Sequence, residues 1–298
     1  MVAILESYWA LALIVTIVLW GIGQVLAKEG ISIVGPANML LLYALNTLII
    51  WGGYFSLSQS FILTTSWKAW LLVILSSILS AAGWLFYYLA LQRGKVSLVA
   101  PITSAYSLVT IIGAWLFLDE ILNYWQYQGL FLVFISIIAL SYNNPANNPA
   151  NPAGTEGIKN HSSGWLYWSF LSCLAWGISV VISKVLIREV GYMNLIGIYA
   201  FLTPVALLPL WWWQRRRAIS VSRRGWVISE LSQLSFCVGG IFFLMSMSSG
   251  AVSLVAPLAN LYPLITIFIA RVYLAEQING IQGIAIVMII TGLALLTF

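Results

Sequence analysis

The hexapeptide Val96-Ser97-Leu98-Val99-Ala100-Pro101 occurs a second time as Val252-Ser253-Leu254-Val255-Ala256-Pro257. The same shift of 156 residues carries Trp20-Gly21 onto Trp176-Gly177, Lys28 onto Lys184, Trp70 onto Trp226, Gly83 onto Gly239, Tyr106 onto Tyr262 and Glu120 onto Glu276. One offset held from Trp20 to Glu120 makes the chain two copies of a single unit. Function is therefore expected where the two copies face each other.

The unit is one that water cannot cover. Of the 298 residues, 61% are hydrophobic and 7% charged, with a mean hydropathy of +0.97, against roughly 25% charged residues in a soluble domain. The chain must then lie in a bilayer, where only helices and closed barrels satisfy the backbone. Its apolar runs have the length of a spanning helix and not that of the short alternating strands of a barrel. The fold class expected is an all-α integral membrane protein of ten transmembrane helices, at about 8–27, 37–57, 69–91, 97–117, 126–142, 165–187, 194–213, 227–248, 252–272 and 280–297. Five fall in residues 1–142 and five in 165–298, and residues 143–164 form a polar linker rich in Pro and Asn. With an odd number of crossings per copy, the second copy enters from the opposite face, which gives two inverted five-helix repeats.

Several functions are set aside at this level. The formal charge of +5 comes from basic residues at helix ends and in one loop, a pattern of membrane orientation and not of nucleic-acid binding. Ten basic residues on one face against three on the other predict that the first face is cytoplasmic and that both termini lie outside. The apolar N-terminal run has no basic flank or small-residue cleavage site, so it is expected to be retained as the first span. Cys173 and Cys237 fall in apolar runs and are read as core residues, and the single His161 lies in the linker, so no metal site is expected. There is no Walker sequence or nucleotide loop, so no ATP-hydrolysing site, no cofactor and no enzymatic activity are expected. The partners expected are a small-molecule solute and the lipid bilayer, with the inner (plasma) membrane of the cell as location.

The motifs each carry two readings. Pro101 and Pro257 lack an amide hydrogen and leave a carbonyl near Ser97 and Ser253 without its helical donor. They mark either packing kinks or two hinges beside a central cavity, and their recurrence in both copies favours the cavity. Ser104 and Asn260 share the proline-bearing stripe. Gly83 and Gly239 sit in small-residue rows that let helices approach closely, with Trp84 and Tyr87 near enough to line a pocket. Trp20 and Trp176 lie toward the middle of their spans, away from the interfacial belt, and serve as core or as cavity wall. Lys28 and Lys184, at the ends of their spans, either snorkel or present paired cations to an anion. No Asp or Glu occupies the centre of a span, with Glu230 the marginal case, which leans toward movement of a solute down its own gradient.

In its Trp20-Gly21 and Lys28, Ala256-Pro257 and Tyr262-Pro263, Glu120 and Glu276, and the Gln-Gly pairs Gln128-Gly129 and Gln282-Gly283, the chain resembles the EamA-type transporters of the drug/metabolite transporter (DMT) superfamily. The resemblance covers nearly everything outside the linker. It implies a five-plus-five inverted fold around a central cavity and export of small metabolites, often amino acids. Two departures stand out: members keep their termini in the cytoplasm, and small multidrug resistance relatives rely on a first-span glutamate, where Gln24 is the nearest polar group here. The function expected is a transporter of small polar metabolites, zwitterionic or neutral, working by alternating access. Trp20, Trp84, Tyr87, Ser104, Tyr106, Trp176, Asn260 and Tyr262 are expected to line its cavity, with Pro101 and Pro257 as hinges. The alternatives are a carrier of anionic or phosphorylated metabolites using Lys28 and Lys184, and a membrane scaffold or lipid scramblase that carries no solute.

Overall fold

A computed structural model describes residues 2–57, 66–118, 123–141, 164–214, 223–274 and 280–295. The linker 143–163 with His161, the carboxylates Glu120 and Glu276, and the arginine run at 215–217 lie outside the described residues. Helix α1 runs Val2–Asn46 and continues through a π turn, Thr47–Trp51, into α2, Gly52–Leu57. Then follow α3 (Trp67–Arg93), α4 (Val96–Ser104), α5 (Tyr106–Phe117) and α6 (Tyr124–Ser141). The second copy holds α7 (Gly164–Val190), α8 (Tyr192–Gln214), α9 (Arg223–Ser249), α10 (Val252–Ala259), α11 (Tyr262–Tyr273) and α12 (Gly280–Leu295). The protein is an all-helical membrane protein. Among the described residues seven stretches are long and apolar enough to cross a membrane, the first being Trp9–Leu57.

That first stretch has 49 residues, about 74 Å if straight and so more than twice the hydrocarbon thickness. It is folded at Gly35, whose φ of 76° and ψ of 166° turn the chain, with Pro36 opening the next limb. The matching turn in the second copy is Gly191, φ 80°, between α7 and α8. Both positions lie in the region that favours glycine. Helix therefore continues well beyond the expected end of the first span, and Lys28 sits about two turns before the bend. Asn38 and Asn194, three residues past each glycine, both donate to the carbonyl four residues back, Val34 O at 2.9 Å and Val190 O at 2.8 Å.

The two expected bendable spans are broken outright. Helix α4 passes through Pro101 and stops at Ser104, and α5 starts after Ala105, whose ψ is 0°. Its counterpart breaks at Asn260-Leu261, where Pro263 occupies the first turn of α11. The interruptions fall about a turn later than the prolines, and at the break local hydroxyls and 3₁₀-type bonds cover carbonyls. Thr103 Oγ1 donates to Val99 O and Ser104 Oγ to Pro101 O, while Ala105 N bonds Ile102 O and Leu261 N bonds Leu258 O.

Contacts between the copies are reciprocal. Trp20 lies over Gly239 and Trp176 over Gly83. Thr16 Oγ1 donates to Gly239 O at 3.2 Å and Ser172 Oγ to Gly83 O at 2.9 Å. Thr110 Oγ1 donates to Gly177 O and Thr266 Oγ1 to Gly21 O. Each pair is its partner with the copies exchanged, as an isologous two-fold contact requires. Directions follow from the same bonds. Gln24 meets Tyr87 and Lys28 meets Leu91, so α1 and α3 run parallel. Thr16 meets Gly239 and Gly23 meets Ser232, so α1 and α9 run antiparallel.

A β-carbon added to Gly83 would lie 2.5 Å from Trp176 Cδ1, and one added to Gly239 2.6 Å from Trp20 Cδ1. Gly83→Ala and Gly239→Ala should each destabilise the protein by about 1–3 kcal/mol, seen as a lower melting temperature in detergent. Gly35→Ala meets no atom within 4 Å and should cost about 1–3 kcal/mol through backbone strain alone.

Candidate functional site

Between the copies lies a cavity of about 130 Å³, roughly ten times the space one water needs. Its walls come from both halves: Trp20 and Gln24 of α1, Ser77, Ser80 and Trp84 of α3, Tyr106 of α5, Trp176, Ser179 and Ser183 of α7, Tyr199 of α8, Phe236, Gly240 and Phe243 of α9, and Tyr262 of α11, with Tyr43 and Trp51 closing one side. The broken spans matter here, because each places a tyrosine at the start of its second half, where the ring turns inward. Small residues make the room: Gly83 and Gly239 admit the two tryptophans, and Gly240 admits Trp51, whose Nε1 donates to Cys237 O at 2.8 Å.

One wall is polar. Ser76, Ser179, Ser183 and Tyr199 form a connected set of hydroxyls, with Tyr199 OH 2.6 Å from Ser76 Oγ and 2.8 Å from Ser183 Oγ, and Ser76 Oγ 2.9 Å from Ser179 Oγ. Rings continue along the same helices, Trp84 one turn beyond Ser80 on α3 and Trp176 about one turn before Ser179 on α7. Trp84 contacts Tyr43, Tyr87, Tyr88, Trp176 and Phe236, and the buried tyrosines are tied down, Tyr87 OH to Gln24 Oε1 and Tyr88 OH to Gln233 Oε1.

Of the residues singled out in the sequence, Trp20, Trp84, Tyr106, Trp176 and Tyr262 line the cavity. Tyr87, Ser104 and Asn260 are fully buried and do not line it, and Asn260 borders a smaller apolar pocket with Pro101 and Pro263. The hydroxyl wall of Ser77, Ser80, Ser179 and Ser183, together with Tyr43, Tyr199 and Thr203, was missed. The helical stripe Ser76, Ser80, Gly83 was visible, but which of its hydroxyls face inward depends on where the neighbouring helix sits. Cys173 and Cys237 are free and buried.

Lys28 and Lys184 are not among the lining residues. Lys28 Nζ donates to Leu91 O and Gly94 O, each at 2.6 Å, and Lys184 Nζ donates to Met247 O and Gly250 O at 2.7 and 2.8 Å. Lys184 is 6% exposed and so does not reach out to the interface. Each lysine covers the last carbonyls of a neighbouring helix, α3 or α9, where the helix dipole is negative. Glu230 likewise stands apart from the cavity, accepting from Asn46 Nδ2 at 2.9 Å.

Helices of membrane-spanning length, arranged as two copies that wall one shared cavity, have the architecture a membrane transporter needs. The same fold is seen in a solved crystal structure with a TM-score of 0.66 at 18% sequence identity, covering 97% of this chain and 96% of that one. The profile of the EamA-like transporter family matches residues 7–142 and again 163–298, and the chain belongs to that family, within the DMT superfamily. Membership implies membrane transport and a solute, and the family is typically not enzymatic. An uncharacterized protein of Methanocaldococcus jannaschii is 39% identical over 83 residues, 28% of this chain and 61% of that protein, so the match spans less than two thirds of the relative.

Removing a lysine clamp strands two helix-end carbonyls. Lys28→Met and Lys184→Met should each lower stability by about 1–3 kcal/mol, while leaving the solute affinity of the folded fraction within about twofold, because neither side chain lines the cavity. Thermal melting and equilibrium binding on the same preparations separate the two effects.

Proposed function

We propose that this protein carries a small polar metabolite, such as an amino acid, across the cell's inner membrane by exposing the central cavity to one face at a time. In this reading the chain crosses the bilayer ten times, in halves 1–142 and 165–298 of opposite orientation joined by the linker 143–164. Parallel α1 and α3 with antiparallel α1 and α9 support the inversion: α3 and α9 are equivalent helices of the two copies, yet they run oppositely against α1.

The observation that carries the proposal is that residues equivalent under the repeat, Trp20 with Trp176 and Tyr106 with Tyr262, stand around one cavity. A scaffold has no need of a polar-walled space at its pseudo-symmetry axis. Trp20, Trp84, Tyr106, Trp176 and Tyr262 contact the solute, with Tyr87, Ser104 and Asn260 supporting them. The helix ends after Pro101 and Pro257 take up the movement. None of the described lining residues is charged, which supports a neutral or zwitterionic solute moving down its own gradient. The excess of basic residues on the face opposite the termini supports an orientation with both termini outside.

Reconstituted in liposomes, the protein should give saturable flux of at least one amino acid from a labelled panel, unaffected by an imposed pH gradient. Trp176→Ala and Trp20→Ala should reduce that flux at least about tenfold through lost contact area. A scramblase or scaffold gives no saturable solute flux, and a strict requirement for a pH gradient overturns the facilitated mechanism.

A further inference from the structure

Which solute the cavity takes is constrained by the angles between its rings. Contacting rings of the lining meet at 41° for Tyr43 and Trp84, 45° for Trp51 and Tyr199, 47° for Trp20 and Phe243, 60° for Trp84 and Phe236, 75° for Trp84 and Trp176, 80° for Tyr106 and Trp176 and 81° for Trp20 and Tyr262. A slot for a flat ring needs two near-parallel faces, like the 28° stack of Phe86 on Trp168, which lies outside the cavity. Walls whose rings are inclined to one another, none of them stacked, instead enclose a compact, rounded group and present several π-faces to it, the arrangement that holds methylated ammonium ions. A primary ammonium would require three hydrogen-bond acceptors. A methylated head needs none and is held by ring faces, which make up most of this lining.

Two hydroxyls in the same lining, those of Ser77 and Tyr106, are buried without a well-formed hydrogen bond in the protein, Tyr106 having only the side-chain amide of Asn260 beside it. A buried hydroxyl without a well-formed bond is costly, and both can donate to an incoming oxygen. No described lining residue carries a charge, so a cation entering the cavity must bring its own countercharge to avoid the cost of an isolated buried ion.

We infer that the solute is a methylated-ammonium zwitterion of the betaine class, its trimethylammonium head enclosed by Trp20, Trp84, Trp176 and Tyr262 and its carboxylate accepting from the hydroxyls of Ser77 and Tyr106. The inference rests on the carrier reading above and narrows it. It differs from an ordinary amino acid in one feature, the replacement of three ammonium hydrogens by methyl groups.

The test is equilibrium binding, by tryptophan fluorescence and calorimetry, of the full chain in detergent or nanodiscs with four probes. These are glycine betaine, its uncharged-head isostere 3,3-dimethylbutanoate, glycine, and choline, which lacks the carboxylate. Glycine betaine should bind at least about tenfold more tightly than each of the other three, since several π-faces act on its cationic head together. Tyr106→Phe should weaken glycine betaine severalfold and leave choline unchanged. The inference is overturned if the isostere matches glycine betaine, if glycine binds as well or better, or if choline binds more tightly. Saturable flux of an unmethylated amino acid with no preference for methylation removes this inference and leaves the carrier reading standing. Absence of saturable flux for every solute removes both.

Discussion

Two indole rings, each seated on a glycine of the opposite copy, hold the molecule together at its centre. Trp20 covers Gly239 and Trp176 covers Gly83, and beside each contact a hydroxyl, Thr16 or Ser172, donates to the carbonyl of the same glycine. Lipid tails are as apolar as leucine, so burying aliphatic surface gives helices little reason to associate in a membrane. Close approach and interhelical hydrogen bonds must supply the attraction. The glycines provide the first, and their uncovered carbonyls the second. The same contacts fix the cavity, because a tryptophan pressed against a helix backbone has one edge anchored and its remaining surface turned toward the space between the copies.

That space is asymmetric although its frame is not. Trp84 has Gly240 as its counterpart, Gln24 has Val180, Ser80 has Phe236 and Ser77 has Gln233. Ser77 and Ser80 of the first copy stand where the second has an amide and a ring, and Ser179 and Ser183 of the second stand where the first has Gly23 and Ala27, so the hydroxyls of the two halves meet in one cluster without being related by the repeat. The divergence is confined to side chains. The turns at Gly35 and Gly191, the lysine clamps and the two helix breaks all recur at equivalent positions, since those features set the backbone path that both copies need.

Membrane residence, helicity and the duplication were legible in the sequence because hydropathy and a fixed offset are one-dimensional signals. The broken spans were legible through Pro101 and Pro257, although the breaks come about a turn later, at Ala105 and at Asn260-Leu261. Trp20 and Trp176 were legible as residues out of place for an interfacial belt. Lys28 and Lys184 read as span ends or mouth cations because hydropathy falls at a charge, whereas the helix runs on past them and each ammonium finds its acceptors on the end of a neighbouring helix. Tyr43, Tyr199 and the inward serines were not legible, since an inward or outward facing of a polar residue in a mostly apolar helix depends on packing against a helix far away in sequence.

The sharp bends at Gly35 and Gly191 join consecutive limbs with no slack between them. Limbs spliced so tightly share a rigid elbow, so tilting one drags its neighbour along as a single lever. Compliance must then reside elsewhere in the scaffold, and the interrupted stretches around Ala105 and Asn260, lying across the middle of the bundle, are where the backbone has already given up its regular ladder. Evolution has thus separated stiffness from suppleness along one polypeptide: unyielding corners at the rim, pliant joints beside the cargo.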